Sequence, residues 1–154
     1  MQNLINQNKM ADDAIGNDEL GADQTKTLAF LFDVTGAVTP GAAGAHALAS
    51  KDGQSAQTLP DNAIITRAYI EAITTTVEDS GSPTIKLGIT GDDDCFIGAT
   101  ARNHATYTAG NLTELTAGIP LKTTAAVSVL ATIASADIAS GTFYVWVEYI
   151  EGKA

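Results

Sequence analysis

The chain has 154 residues, 45% of them apolar and 17% charged, with 18 acidic against 8 basic side chains and a formal charge of -10. That length suits one domain burying about 70% of its unfolded surface, and it is short for two. The acidic balance argues against nucleic-acid binding, for which a basic stripe is the expected footprint. No run approaches the ~20 apolar residues of a membrane span. The N-terminus lacks the basic and apolar regions of a signal peptide, so a soluble protein made in a cytoplasm is expected.

Residues 1–25 read as an extended N-terminal arm without a core of its own. The stretch is amide-rich and then acidic, and its apolar side chains Leu4, Ile5, Met10, Ile15 and Leu20 are scattered rather than held to one face. A short helix over 11–20 is weakened by Gly16, and the alternative to an arm is a disordered tail. Those five side chains are candidate partner-binding residues, because an apolar arm with no core gains by ordering against another surface. Residues 26–154 read as the folded body.

The body's first strand spans 27–34, with Leu28, Phe30 and Phe32 on one face. A Gly/Ala/Ser-rich segment follows over 35–57, with a short edge strand at 46–49. Its glycines lack the Gly-Lys-Ser/Thr of a phosphate loop and the Gly-x-Gly-x-x-Gly of a dinucleotide fold. Residues 59–89 carry the strongest β signal. A run over 63–77 is dense in Ile, Thr, Val and Tyr. After a polar break at 78–83, Ile85, Leu87 and Ile89 alternate with Thr84, Lys86 and Thr90. Two such runs around a Gly/Ser/Pro break predict an antiparallel hairpin.

Asp92-Asp93-Asp94 is read as a solvated turn, since neighbouring carboxylates on an extended chain point in alternate directions and lack calcium-loop spacing. Residues 99–120 form a second irregular connection, in which Asn111-Leu112-Thr113-Glu114 has helix-cap spacing. The same four residues match a glycosylation acceptor, discounted without a secretion signal. From 121 to 133 alternation resumes, with Leu121, Thr123, Ala125, Val127, Val129, Ala131 and Ile133 on one face. The strand over 142–150 puts Phe143, Val145, Val147 and Tyr149 toward the core and Tyr144, Trp146 and Glu148 outward, and it is expected inside the sheet. Tyr144 and Trp146 are the second candidate partner-binding pair, their rings either lying over a loop or second sheet or forming a subunit contact.

At least five strands, long crossovers and almost no helix predict an all-β fold. The expected architecture is an antiparallel β-sandwich of jelly-roll or Greek-key type with an extended N-terminal arm. No catalytic constellation is legible. His46 and His104, the two histidines, have no partner at metal-ligand spacing, and the single Cys95 follows three acids that disfavour a thiolate. No metal, cofactor or catalytic residue is expected, and the chain reads as a non-enzyme.

The run from Leu59-Pro60-Asp61-Asn62 to Tyr69 is similar to a segment in small structural proteins of tailed bacteriophages. So are Lys122-Thr123-Thr124-Ala125-Ala126 and Ser140-Gly141-Thr142-Phe143-Tyr144-Val145-Trp146-Val147-Glu148-Tyr149. Over about residues 45–151 the chain most resembles capsid decoration (cement) proteins of such phages. The resemblance implies a virion protein on the capsid exterior, partnered by the major capsid protein and by itself as a homotrimer. It implies neither a nucleic-acid nor a membrane partner. The competing readings are a head-fibre, tail or receptor-binding component recognising the host surface, and a small lectin or carbohydrate-active enzyme. The last would need Trp or Tyr clustered with acids in one groove.

Overall fold

The computed structural model describes residues 24–79 and 81–152, and the period-two runs become strands there. They are β1 (Lys26–Asp33), β2 (Gly44–Ala47), β3 (Ala49–Ser50), β4 (Thr58–Leu59), β5 (Ala63–Glu78), β6 (Thr84–Ile89), β7 (Asp92–Ala101), β8 (Leu112–Leu115), β9 (Leu121–Lys122), β10 (Val127–Ala134) and β11 (Ile138–Glu151). Among the described residues the one helical element is a 3-10 turn at Ala105–Tyr107.

The strands form two antiparallel sheets. One runs β3-β1-β11-β5-β8, with β9 also on β5; the other runs β2-β10-β6-β7, with β4 also on β10. Successive long strands change sheet, from β1 to β2, β5 to β6, β7 to β8 and β10 to β11. That gives the wrapped two-sheet sandwich of jelly-roll or Greek-key type. Strand β11 lies between β1 and β5, inside its sheet as expected.

The core fills from both inner faces. Phe30, Phe32, Ile65, Ile70, Phe143, Val145 and Val147 come from the first sheet, and Ile85, Leu87, Phe96, Val129, Ala131 and Ile133 from the second. The Phe32 and Phe143 rings stack at 4.3 Å. Tyr107, delivered by the 3-10 turn, tilts onto Phe143 and donates its hydroxyl to the Ile85 carbonyl at 3.2 Å. A buried hydroxyl without that acceptor would be costly, so the turn is held where one carbonyl can receive it.

Four sequence expectations change. The hairpin expected over 63–89 does not form: β5 pairs with β11, β8 and β9, while β6 pairs with β10 and β7. Each strand has one apolar face, and the two feed one core from opposite sheets rather than lying side by side. The run over 121–133 is two strands, because the chain changes sheet between β9 and β10. Thr123 sits buried at that crossing, its hydroxyl accepting from Ala63 N at 2.9 Å and donating to the Pro60 carbonyl at 2.8 Å. Ala125 is accordingly exposed rather than inward.

The turn after β6 is Thr90-Gly91, so Asp92-Asp93-Asp94 opens β7. Asp93 there accepts from Lys86 at 3.1 Å, a cross-strand ion pair. β7 also arches over Gly88, where a Cβ would come within 2.2 Å of the Asp92 carbonyl oxygen. Residues 111–114 form β8 rather than a helical cap: Leu112 and Thr113 pair with Glu71 and Ile70, and backbone pairing to a long neighbour outweighs one cap. The edge strand expected at 46–49 appears as β2, and Leu48, 1% exposed, plugs the gap where the chain passes to β3.

Candidate interaction surface

The outer face of the first sheet holds the surface most suited to recognition. Alternation along β11 turns Tyr144, Trp146 and Glu148 outward, and alternation along β5 does the same for Arg67, Tyr69 and Glu71. The pairing register then sets Tyr144 beside Glu71, Trp146 beside Tyr69 and Glu148 beside Arg67. On the far side of β5, Tyr69 meets Glu114 and Glu71 meets Leu112. Three strands, β11, β5 and β8, thereby bring one cluster together from residues as far as 75 positions apart.

The Tyr144 and Trp146 rings lie 6.0 Å apart at 56°. Lys51, from the loop after β3, places Nζ 4.7 Å from the Trp146 centroid and 5.7 Å from that of Tyr144. The Lys51 side chain and the half-buried aromatic pair are thus in contact, and one such cation contributes only about 0.5–1 kcal/mol at an exposed site. Trp146 Nε1 donates to Glu71 Oε2 at 2.9 Å, which fixes the indole plane. The Arg67 guanidinium lies 5.3 Å from the Tyr69 centroid and donates to Glu114 at 3.3 Å.

Two hollows flank the ring pair. A groove of about 550 Å³ is lined by Tyr69, Ile73, Gly110, Leu112 and Trp146, with Glu71 in its wall. Leu112 is 69% exposed and Ile73 44%, an unusual placement for large aliphatics beside a tryptophan. The groove's far wall is rigid, because Gly110 N donates to the Ala72 carbonyl at 2.8 Å and Ala72 N donates to Asn111 O at 2.9 Å. The second hollow, about 540 Å³, is polar and lies beside Tyr144 among Ser50, Lys51, Asp52, Ser55 and Gln57. Asp52 accepts from the Ser50 hydroxyl and the Gln54 amide, and the hydroxyl, first of these causes, holds its carboxyl below the ordinary value.

Tyr144 and Trp146 are therefore together and accessible. Leu4, Ile5, Met10, Ile15 and Leu20 lie outside the described residues. The groove residues that sequence reading missed are Ile73, Leu112, Tyr69 and Glu71. Their outward direction follows from alternation, but which strands they neighbour follows only from register. Trp, Tyr and Arg around exposed aliphatics is the composition of a binding hot spot.

Elsewhere the reactive groups are engaged in structure. His46 Nε2 lies 2.7 Å from the Ala42 carbonyl, and His104 Nδ1 accepts from Thr106 N, capping the 3-10 turn. Burial, and then Asp92, push the Cys95 thiol up to about 11. Among the described residues no three His, Cys, Asp or Glu side chains are placed to hold a metal ion, and no helix is long and apolar enough to cross a membrane.

No protein-family model matches the chain, and no curated protein matches it. Solved structures do. A chain of the cyanophage Pam1 capsid asymmetric unit superposes with a TM-score of 0.60 at 20% identity, over 84% of this chain and 86% of that one. A chain of the acid-stable capsid of Helicobacter pylori bacteriophage KHP30 gives 0.56 at 12% identity, over 82% and 86%. One from the capsid of Ralstonia phage GP4 gives 0.56 at 19%, over 86% and 88%. At these identities the likeness is one of fold.

Proposed function

We propose that this chain is a structural virion protein, a capsid decoration (cement) protein. In this reading it binds the outer surface of a tailed-phage shell and stabilises contacts between major capsid protein subunits. The observation that carries the reading is the shared fold: more than four-fifths of the chain matches chains found in three phage capsids, and the match spans most of each of those chains as well. The absence of a readable catalytic constellation in the sequence agrees with a protein that performs no reaction, and the charge of -10 with one that binds neither nucleic acid nor membrane.

A cement adds contact area across seams that internal pressure tends to open. In this reading the arm reaches a shell subunit through Leu4, Ile5, Met10, Ile15 and Leu20, and the Tyr144–Trp146 face makes the second contact. Each apolar side chain buried contributes ~1.5–3 kcal/mol, while each backbone position ordered costs ~1–2 kcal/mol. Five apolar contacts set against ten or more ordered positions nearly cancel. One arm is therefore a weak anchor, and attachment requires several acting together. A homotrimer supplies that, because each arm after the first binds at the high effective concentration set by its tether.

The test is occupancy. Full-length protein and a form lacking residues 1–24 are added to shells stripped of it, and bound protein is counted after sedimentation. Full-length protein is expected to saturate the shells and the shortened form to bind weakly. Failure of the full-length protein to bind refutes the cement reading, and equal binding by both refutes the role of the arm.

A further inference from the structure

The apolar groove beside Trp146 has an occupant within the same chain. We propose that the segment Leu4-Ile5-Asn6-Gln7-Asn8-Lys9-Met10 lies in this groove while the protein is free in solution.

Three observations point to that segment. The first is chemistry: the groove is lined by Leu112, Ile73 and the Trp146 ring, and Leu4, Ile5 and Met10 are apolar side chains. The second is charge. Residues 1–11 carry one charged side chain, Lys9, and no acid, whereas 12–23 carry Asp12, Asp13, Asp18, Glu19 and Asp23. On the groove side, Glu114 is paired with Arg67, while Glu71 accepts only from the neutral Trp146 indole. An apolar segment with a single lysine complements that wall, and the acidic stretch that follows it does not.

The third is reach. The body begins beside β1, where Lys26 pairs with Tyr149, in the sheet that carries the groove. From there to β8 is three strand spacings across and about five residues along, roughly 22 Å at ~4.8 Å per strand and ~3.3 Å per residue. The fourteen residue steps from Met10 to Gln24 span up to ~46 Å when extended, twice what is needed. A tether that short holds the segment at an effective concentration in the millimolar range, which favours its own groove over a neighbour's in dilute solution.

The consequence is that the free protein keeps this aromatic-aliphatic patch covered. The inference concerns the isolated protein, so its outcome is independent of whether the protein attaches to a shell.

Trp146 is the single tryptophan, so its fluorescence reads the groove directly. In the full chain, replacing Leu4, Ile5 and Met10 together by Asp is expected to move Trp146 emission to longer wavelength and to steepen its quenching by acrylamide. Lys9→Glu is expected to give a smaller change of the same sign that fades in high salt. A second measurement fixes the source of the segment. With Cys95→Ser removing the native thiol, Ile5→Cys and Leu112→Cys are expected to form a disulfide within one chain under mild oxidation. Unchanged emission and quenching in the triple variant overturns the proposal, as does a disulfide-linked dimer or no link at all.

Discussion

Replacing Thr123 by Val tests how the chain is pinned where it changes sheet. Val matches Thr in shape, so the substitution leaves packing intact and removes only the hydroxyl. That hydroxyl serves two backbone groups, accepting from Ala63 N at 2.9 Å and donating to the Pro60 carbonyl at 2.8 Å, and Thr123 is 2% exposed. Ala63 is fully buried, so its N–H loses a partner that water cannot replace, at ~1–3 kcal/mol. Pro60 is half-buried, and its carbonyl recovers part of its loss from solvent. The expected loss is about 2 kcal/mol, which at a urea slope near ~2 kcal/mol/M lowers the unfolding midpoint by about 1 M with the slope unchanged. Thr123→Ser keeps the hydroxyl and should lose less than half as much. The assay is urea unfolding followed by far-UV circular dichroism at fixed protein concentration. A Thr123→Val midpoint within ~0.2 M of the parent, about 0.4 kcal/mol at that slope, would refute the pinning.

Two further outcomes are expected from the same structure. Cys95, buried and pushed up to about 11, should react with iodoacetamide at pH 8 roughly a hundredfold more slowly than in urea, since thiolate is the reactive form; equal rates would contradict its placement. Asp93 is held below the ordinary carboxylate value first by the hydrogen bond from Lys86. Its contribution is therefore complete above about pH 4 and is lost as pH falls through the depressed folded value. Asp93→Asn should flatten the acid limb of the stability curve and leave its neutral region nearly unchanged, and an unaltered acid limb in thermal melts would count against the pair.

The strands themselves were legible because a half-buried strand writes its period into the sequence. Phe30 and Phe32, Ile85 and Leu87, and Phe143, Val145, Val147 and Tyr149 face the core as alternation predicts. What alternation does not carry is the partner. The pattern of β5 followed by β6 is the same whether the two lie side by side or face to face, and the hairpin expectation failed on that ambiguity. The single run over 121–133 failed similarly, since Thr123 is inward for its hydroxyl's two bonds and not as part of an apolar stripe.

The candidate interaction surface was half legible for the same reason. Tyr144 and Trp146 could be seen to point outward, but Leu112 sits on a four-residue strand that resembled a helical cap. Its position beside Glu71 comes from a pairing across 41 residues. The one local hint was a leucine standing among Asn, Thr and Glu at 111–114. The arm, in contrast, was defined by composition alone.

The central claim, a cement on the phage shell, is tested most directly by copy number. Quantitative mass spectrometry of purified virions against the major capsid protein gives it without any variant. The account predicts a number comparable to that of the shell protein. A few copies per particle would place the chain at a tail or vertex fibre and contradict the claim, and absence from the particle would refute a virion role altogether.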